Sequence, residues 1–277
     1  MNYLVTGGAG FLGSNLIKKL ITSKHNIKKI YVLDNLSRGQ IDNEFKKMIN
    51  HKKITFISKS IADFKKMKIK NINYIFHFAA ILGVKRVINF PYQVLTENIS
   101  NLTSIAEIAK NQKKLKKIIF TSTSEVYAKS LEKKICKFPT PENIDIIIDN
   151  NSSPRESYAI SKVVSEKIII YSGLPYIILR PHNIFGPRMG FDHVIPELIQ
   201  KFLKKKHISI VNANHIRSFC FIDDAINYIY NLSHSKIKNE TINIGSDSNK
   251  IKIFDLANKI KNKLQKILDI KLRLKKA

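Results

Sequence analysis

A tyrosine and a lysine stand four residues apart in the stretch PRESYAISK, residues 154–162. If this segment is helical, Tyr158 and Lys162 lie on one face of the helix and can reach the same pocket. A tyrosine keeps its proton up to about pH 10, so it acts as a base near neutrality only when positive charge stabilises the phenolate. Lys162 is placed to supply that charge. We interpret the pair as a candidate for removing a proton from a substrate hydroxyl; the alternative for this spacing alone is a pair on the helix surface.

A second chemical signature is the stretch TGGAGFLG, residues 6–13. Gly7, Gly10 and Gly13 have G-x-x-G-x-x-G spacing between a predicted strand and a predicted helix, which is the context that a dinucleotide-binding loop requires. Glycines let the backbone turn tightly and approach a pyrophosphate, and the start of the helix offers free N–H groups. The loop, which also includes Phe11 and Leu12, is therefore predicted to bind the cofactor phosphates.

An acidic residue follows this loop at a suitable distance. Asp34 ends the second predicted strand, about 20 residues beyond the glycines, where a carboxylate binds the ribose hydroxyls of NAD and repels the extra phosphate of NADP. Arg38 favours NADP, but we expect NAD. The alternative for Asp34 is a turn residue at the end of a strand.

The elements that must position these residues alternate between strands and helices. Runs rich in Ile, Val, Phe and Tyr predict strands at residues 3–6, 30–34, 54–57, 74–78, 118–121 and 176–180. Helices are predicted at residues 11–24, 91–112 and 157–172. Because the strand runs are continuously apolar, they suit a parallel sheet that is covered on both faces. The order predicts an α/β fold with a Rossmann-like, doubly wound parallel sheet.

Two features divide the chain. Residues 129–154 contain three prolines and are predicted to form a long loop before the Tyr–Lys helix. After residue 181 the pattern changes to short strands and helices. We expect an NAD-binding domain over residues 1–180 and a small C-terminal α/β substrate-binding lobe over residues 181–277, with some later segments returning to the main sheet.

Composition excludes several classes of protein. The chain of 277 residues has a net charge of +27 and two cysteines, Cys136 and Cys220. No disulfide framework, metal site or membrane span is expected, and the strand-like start predicts a cytoplasmic protein without a signal peptide. The charge fits either a nucleic-acid or anionic membrane surface, or lysines scattered over a solvated surface; we favour the scattered lysines. We therefore expect neither a nucleic-acid nor a membrane partner.

The motifs together resemble those of one family, the extended short-chain dehydrogenase/reductases that act on nucleotide sugars. The resemblance rests on TGGAGFLG, LDNLSRG (33–39), HFAA (77–80), Asn98, TSTSEVYA (121–128), YAISK (158–162), RPHNIFGPRM (180–189), RSFCFIDDA (217–225) and NIGS (243–246). This NAD-dependent epimerase/dehydratase family includes UDP-glucose 4-epimerases and UDP-glucuronate decarboxylases. The resemblance implies a nucleotide-diphosphate sugar as substrate and a homodimer formed through the helices at 91–112 and 157–172.

The resemblance also implies a role for each matched residue. The cofactor would contact Asn35, Ser60, Ile61, Phe78, Ala79, Ala80, Asn98, Pro181 and His182, in addition to the glycine loop, Asp34, Tyr158 and Lys162. Ser60 replaces the Asp that relatives usually carry against the adenine, so we expect a weaker contact there. Thr123 would hydrogen-bond the reacting sugar hydroxyl, and Asn183 and Arg217 would bind the diphosphate.

Glu125 bears on the outcome of the reaction. The resemblance implies that dehydratases and decarboxylases tend to carry Glu at this position, where it could abstract a second proton or orient the substrate. The alternative is a solvated loop acid. We expect transient oxidation at sugar carbon 4 by an epimerase/dehydratase, with a UDP-glucuronate decarboxylase as the first alternative. A non-catalytic NAD- or RNA-binding relative and a reductase of small carbonyls are the remaining alternatives.

Overall fold

A computed structural model of the protein describes residues 1–150, 153–205, 207–269 and 272–276. The strands are β1 Asn2–Thr6, β2 Lys29–Leu33, β3 Ile54–Ile57, β4 Tyr74–His77, β5 Lys117–Thr121, β6 Tyr176–Pro181, β7 Ile184–Phe185, β8 His207–Ile210, β9 Ile216–Ser218, β10 Cys220–Phe221, β11 Glu240–Ile244, β12 Lys250–Lys252 and β13 Arg273–Lys276. The helices are α1 Phe11–Ile21, α2 Asn43–Ile49, α3 Ile61–Lys66, α4 Val84–Asn89, α5 Pro91–Lys110, α6 Ala128–Glu132, α7 Glu156–Tyr171, α8 Val194–Lys204, α9 Ile222–His234 and α10 Ile253–Leu268, with a 3₁₀ helix at Ser124–Tyr127.

Seven parallel strands form the central sheet in the order β11-β6-β5-β4-β1-β2-β3. The chain leaves β1 towards β2 on one side, and it later returns to pair β4 on the other side of β1. The strand order therefore reverses between β1 and β4, and the carboxyl ends of these strands are where open α/β sheets bind ligands. This architecture confirms the Rossmann-like, doubly wound fold predicted from the sequence.

Helices cover both faces of the sheet. Along β1, successive side chains point to opposite faces: Leu4 joins a buried cluster with Leu102 and Ile105 of α5, whereas the Tyr3 hydroxyl bonds His234 of α9. The strands are buried on both sides, and for this reason their sequences are continuously apolar. Within the parts of the chain that the structure describes, no helix has both the length and the apolar content needed to cross a membrane.

The element boundaries differ from the predicted ones at identifiable places. Helix α1 ends at Ile21, three residues before the predicted end, and the hydroxyl of the C-cap residue Thr22 donates to the carbonyls of Lys18 and Lys19. The loop predicted for residues 129–154 is wrong at its start, where α6 extends to Glu132. Strand β11 was not predicted, because ETINI alternates polar and apolar residues at the edge of the sheet and lacks the continuous apolar run of the inner strands.

The chain forms two compact units. The first comprises residues 1–181 and 222–244, so that α9 and β11 belong with the main sheet. The second comprises the described residues of 182–221 and 245–277 and contains helices α8 and α10 with short strands. Its core is built from Leu198, Phe202, Ala257 and neighbouring apolar side chains. Cys136 and Cys220 are both buried, and neither forms a disulfide bond among the described residues.

We expect the contact between α5 and the sheet to dominate the stability of the first unit. Ile105 is 0% exposed, so Ile105→Ala should lower the free energy of unfolding by about 2–5 kcal/mol through lost burial and a residual cavity. Ile88 on α4 is 48% exposed, and Ile88→Ala should change it by less than about 0.5 kcal/mol. Urea unfolding followed by circular dichroism compares the two variants, and equal losses would contradict this packing.

Candidate active site

The turn between β1 and α1 is built by backbone contacts that only glycine allows. Gly7 has a φ of +69°, its N–H donates to the Leu33 carbonyl over 2.9 Å, and its own carbonyl accepts from the Gly10 N–H over 3.1 Å. A Cβ on Gly7 would lie 2.7 Å from the Ala79 nitrogen, and a Cβ on Gly13 would overlap the Gly7 carbonyl oxygen. Gly7 and Gly13 are therefore required by the fold of the loop itself.

The start of α1 fits an anionic group. Gly10 precedes the helix and offers no side chain to cap it, and the first turn, with Phe11, Leu12 and Gly13, contains no acidic residue. The first N–H groups of a helix lack intrahelical acceptors and carry partial positive charge. A Cβ on Gly10 would meet only the Gly7 carbonyl oxygen within 4 Å. This open, donor-rich face is suited to the pyrophosphate of a dinucleotide.

Asp34 is fixed at the carboxyl end of β2. Its Oδ2 accepts from the Ala9 N–H over 2.9 Å and its Oδ1 accepts from the Leu36 N–H over 2.8 Å. A carboxylate oxygen can accept more than one hydrogen bond, so both oxygens can still accept from ribose hydroxyls. The neighbouring Asn35 accepts from the Ser37 N–H over 3.1 Å and thereby shapes the following turn.

Ser60 and Ile61 begin helix α3. The Ser60 hydroxyl donates to Asp63 Oδ2 over 2.7 Å and accepts from the Asp63 N–H over 3.1 Å. The Ile61 side chain belongs to the buried cluster between the sheet and α5. The Ser60 hydroxyl is therefore engaged in capping α3, and the adenine contact of these two residues stays a prediction.

The segment at residues 78–80 follows β4 and lies against the glycine turn. The Phe78 N–H donates to the Thr6 carbonyl over 3.2 Å, and the Ala79 N–H donates to Thr6 Oγ1 over 3.3 Å. Thr6 Oγ1 also bonds His77 Nδ1 over 2.8 Å. Burial lowers the pKa of His77 to about 3, so its ring is neutral. The sequence reasoning missed Thr6 and His77, although they are the first residues of TGGAGFLG and HFAA.

Asn98 of α5 holds the loop that follows Ala80. Its Oδ1 accepts from the Ile81 N–H over 2.8 Å, and its Nδ2 donates to the Ile81 carbonyl over 3.0 Å and to Ser161 Oγ over 3.2 Å. Both amide hydrogens are thus used inside the protein. Asn98 positions this loop against α7, and its predicted direct contact with the cofactor stays a prediction.

The structure brings Tyr158, Lys162 and Thr123 together in the first unit. Thr123 directly precedes the 3₁₀ helix that follows β5, and its hydroxyl shares a hydrogen bond with the Tyr158 phenol. Lys162 is buried one helical turn after Tyr158 and donates through Nζ to the Thr121 carbonyl over 2.7 Å. Its Nζ lies 5.7 Å from the centre of the Tyr158 ring. Tyr158 and Lys162 therefore lie on one face of α7, as the sequence predicts.

Burial controls the ionisation of this group. Burial raises the pKa of Tyr158, as does the Glu125 carboxylate, whereas Arg38 and the bond to Thr123 lower it. The net direction is upward, because desolvation exceeds the stabilisation of the phenolate. The lower pKa expected beside the positive nicotinamide stays a prediction. Burial lowers the pKa of Lys162 from 10.5 to about 7, although Glu166 opposes the change. Lys162 can therefore gain or lose a proton near neutral pH.

Glu125 lies in the same electrostatic environment. Its N–H donates to Thr123 Oγ1 over 3.2 Å. Burial raises the pKa of the Glu125 carboxyl, and Arg155 opposes this shift. The charge of Glu125 also raises the pKa of Tyr158, so the two groups are electrostatically coupled. Arg155 was not predicted from the sequence, although it stands three residues before Tyr158.

The remaining predicted residues lie at or beyond the end of β6. Pro181 ends β6 in the first unit. In the second unit, His182 packs beside Gly245. Asn183 has a φ of +41°, and its backbone carbonyl accepts from the Cys220 N–H over 3.3 Å. Arg217 is exposed and lies on β9. Their cofactor and substrate contacts stay predictions.

Other polar groups of the first unit were missed by sequence reasoning. Thr121 Oγ1 and Ser122 Oγ are buried at the end of β5 without a hydrogen-bond partner among the described residues. Glu166 and Arg180 form a buried ion pair. The available signal for this pair was an acidic residue within KVVSEKIII and a basic residue near the end of the apolar run YIILRP.

Comparison with known proteins gives a consistent result. A family model described as "NAD dependent epimerase/dehydratase family" matches residues 3–245. A UDP-N-acetyl-α-D-glucosaminuronate decarboxylase of Bacillus cytotoxicus is 33% identical over 89% of this chain and 75% of its own length. The crystal structure of a UDP-glucose 4-epimerase from Thermotoga maritima with UDP-glucose is 27% identical, with a TM-score of 0.74, over 100% of this chain and 86% of that one. The Bordetella bronchiseptica enzyme WbmF in complex with NAD⁺ is 26% identical, with a TM-score of 0.78, over 100% and 82%.

Two glycine variants should separate folding from cofactor binding. In Gly13→Ala the new Cβ would overlap the backbone of Gly7, so we expect a loss of about 1–3 kcal/mol in stability together with loss of NAD binding. Gly10→Ala keeps an ordinary backbone conformation and should cost less than about 1 kcal/mol, yet weaken NAD binding at least about tenfold by filling the open face. Thermal unfolding and calorimetric titration with NAD⁺ measure both, and unchanged NAD affinity of Gly10→Ala would contradict this location.

The pKa of Lys162 predicts a pH dependence of stability. Between about 7 and 10.5, the unfolded chain keeps the lysine proton while the folded protein loses it, so stability rises with pH. The difference in unfolding free energy between the parent protein and Lys162→Met should therefore shift in favour of the parent from pH 7 upwards. Urea unfolding at several pH values measures it. A difference that stays constant with pH would show that Lys162 keeps its ordinary pKa.

Proposed function

We propose that this chain, which belongs to the NAD-dependent epimerase/dehydratase family, converts a nucleotide sugar by transient oxidation at sugar carbon 4. The observation that supports this most directly is the position of the buried Lys162, whose Nζ lies 5.7 Å from the centre of the Tyr158 ring and donates to the Thr121 carbonyl, two residues before Thr123. The phosphate-binding glycine loop lies in the same unit. A phenol, a hydroxyl and an amine in this arrangement suit the removal of a proton from an alcohol.

The cofactor is NAD. The open face at Gly10 would hold the pyrophosphate and Asp34 the adjacent ribose, since both offer groups of the right chemistry. When bound, NAD accepts a hydride from the sugar carbon and can return it later. Phe78, Ala79 and Ala80 follow β4 beside this loop. The bonds of Phe78 and Ala79 to Thr6 fix the wall against which a cofactor would lie.

Tyr158 would take the proton from the hydroxyl at carbon 4. Thr123 would orient that hydroxyl, because its own hydroxyl already contacts the Tyr158 phenol. The raised pKa of Tyr158 means that its proton must leave before it can act as a base. Lys162, with a pKa of about 7, changes its charge near the working pH and provides nearby positive charge in its protonated form, which favours the phenolate.

Glu125 supports a chemical change after the oxidation. Burial raises the pKa of its carboxyl, so Glu125 holds a proton more tightly than an ordinary glutamate does. A 4-keto sugar loses water when one group removes the proton beside the ketone and another protonates the departing hydroxyl. Glu125 would serve as one of these two groups, and this role favours dehydration over simple epimerisation.

A UDP-uronate decarboxylase is the second candidate. The Bacillus cytotoxicus relative is named a UDP-N-acetyl-α-D-glucosaminuronate decarboxylase. Relatives named UDP-glucuronic acid decarboxylases are 27–28% identical in alignments that cover 98% of this chain. In a uronate, oxidation at carbon 4 places the carboxylate beta to the ketone. The electrons of the broken carbon–carbon bond then pass into an enolate as carbon dioxide leaves, and an acid such as Glu125 can protonate that enolate.

The diphosphate contacts, the oligomeric state and the location of the protein are further proposals. Binding of the diphosphate by Asn183 and Arg217 rests on their chemical types and on the resemblance of their motifs. Assembly into a homodimer through α5 and α7 is supported by the exposure of Tyr92 and Tyr171, which are 77% and 81% exposed. A cytoplasmic location and the absence of a nucleic-acid partner rest on the sequence alone.

The proposal is tested by product mass. The purified protein is incubated with NAD⁺ and UDP-, dTDP-, GDP- and CDP-sugars, including UDP-glucuronate, and each mixture is analysed by chromatography and mass spectrometry. We expect loss of water from one nucleotide hexose; loss of carbon dioxide from a UDP-uronate identifies the second candidate, and an unchanged mass with a new retention time identifies an epimerase. Tyr158→Phe should lower the rate by about 10²–10⁴-fold.

The matched control is Tyr171→Phe, on the last residue of the same helix and exposed to solvent. It should leave turnover unchanged. Glu125→Gln should abolish loss of water while leaving NAD binding intact. No product from any sugar, despite demonstrated NAD binding, would contradict the proposed function and favour a non-catalytic relative.

A further inference from the structure

A buried ion pair joins the catalytic helix to the central sheet. Arg180 of β6 donates through Nε to Glu166 Oε1 over 2.9 Å and through Nη2 to Glu166 Oε2 over 2.6 Å. Arg180 is 5% exposed and Glu166, on α7, is 3% exposed. Glu166 stands one turn after Lys162 and two turns after Tyr158 on the same helix. The pair therefore fixes the face of α7 that carries the catalytic residues.

Arg180 extends this connection to the turn that contains Thr123. Its Nη1 donates to the Tyr127 hydroxyl over 2.7 Å, and its guanidinium lies 4.9 Å from the centre of the Tyr127 ring. The Tyr127 hydroxyl in turn donates to Asn243 Oδ1 of β11 over 2.9 Å. The hydroxyl is thus held from two sides, by β6 and by β11.

Tyr127 ends the 3₁₀ helix whose first residues follow Thr123. A single short turn of chain therefore connects the anchored hydroxyl with Thr123 and Glu125. At the other end of the network, Glu166 anchors the helix that carries Tyr158. The bond between Thr123 and Tyr158 closes a ring of contacts that runs through Arg180.

We propose that Tyr127 and Arg180 are positioning residues, which hold Thr123 at the correct distance from Tyr158. This inference rests on the proposed function only for its kinetic readout. Neither residue is assigned a contact with the substrate. The network acts on the reaction through the geometry of two segments that are far apart in sequence, so its loss affects the chemical step rather than substrate binding.

The test is Tyr127→Phe, which removes one hydroxyl and keeps the ring. We expect kcat to fall by between about tenfold and a hundredfold, with KM unchanged. The matched control is Tyr3→Phe: Tyr3 is 0% exposed and its hydroxyl bonds His234 over the same 2.9 Å, but it lies near the amino end of β1. Tyr3→Phe should lower the unfolding temperature by a similar amount and leave kcat unchanged.

A second background shows whether Tyr127 acts through Thr123. In Thr123→Val, which lacks the catalytic hydroxyl, the additional change Tyr127→Phe should reduce kcat by less than about threefold, because the positioned group is already absent. Equal effects in both backgrounds would overturn the inference. Asn243→Ala, which releases the Tyr127 hydroxyl on its other side, should change kcat in the same direction if Tyr127→Phe does not fold.

A readout without turnover separates this inference from the proposed function. With ¹³Cζ-labelled tyrosine, the signal of Tyr158 is assigned from its absence in Tyr158→Phe and followed by NMR. We expect this signal to shift in Tyr127→Phe and to stay in place in Tyr3→Phe. If no sugar is turned over but the shift occurs, the positioning role stands and the proposed function fails; an unmoved signal overturns the positioning role.

Discussion

The buried ion pair of Glu166 and Arg180 is the constraint on which the arrangement of the site depends. Removing two charges from water is costly unless both are fully paired and hydrogen-bonded, and here both carboxylate oxygens accept from the guanidinium. Helix α7 can therefore shift or rotate on β6 only by breaking a bidentate contact. Because Arg180 also bonds Tyr127, the same charge pair fixes the turn that presents Thr123 and Glu125 to the catalytic helix.

The cofactor side of the site depends on backbone packing rather than on charge. The glycine turn lies so close to Ala79 and to the first turn of α1 that side chains at Gly7 or Gly13 would overlap main-chain atoms. Thr6 connects this turn to the segment after β4. The face proposed to bind the cofactor phosphates is therefore built where β1 and β4 are adjacent, which is also the point at which the strand order reverses.

Low local polarity accounts for the ionisation behaviour of the catalytic group. Burial raises the pKa of Tyr158 and of Glu125 and lowers that of Lys162, so all three are shifted towards their uncharged forms. This contrasts with the net charge of +27 on the chain. The protonation state of a group that is kept uncharged in this way changes when a charged group binds nearby, which suits proton transfer near neutral pH.

The sequence by itself determined the parallel sheet, the glycine loop with Asp34, and the placement of Tyr158 and Lys162 on one helix face. These features follow from local spacing and from runs of apolar residues, which neighbouring parts of the chain do not alter. Only the tertiary structure decided that Thr123 bonds Tyr158, that Arg180 pairs with Glu166, that β11 adds to the sheet, and that the pKa of Tyr158 rises. These depend on contacts between distant segments and on desolvation, and a local pattern contains no measure of either.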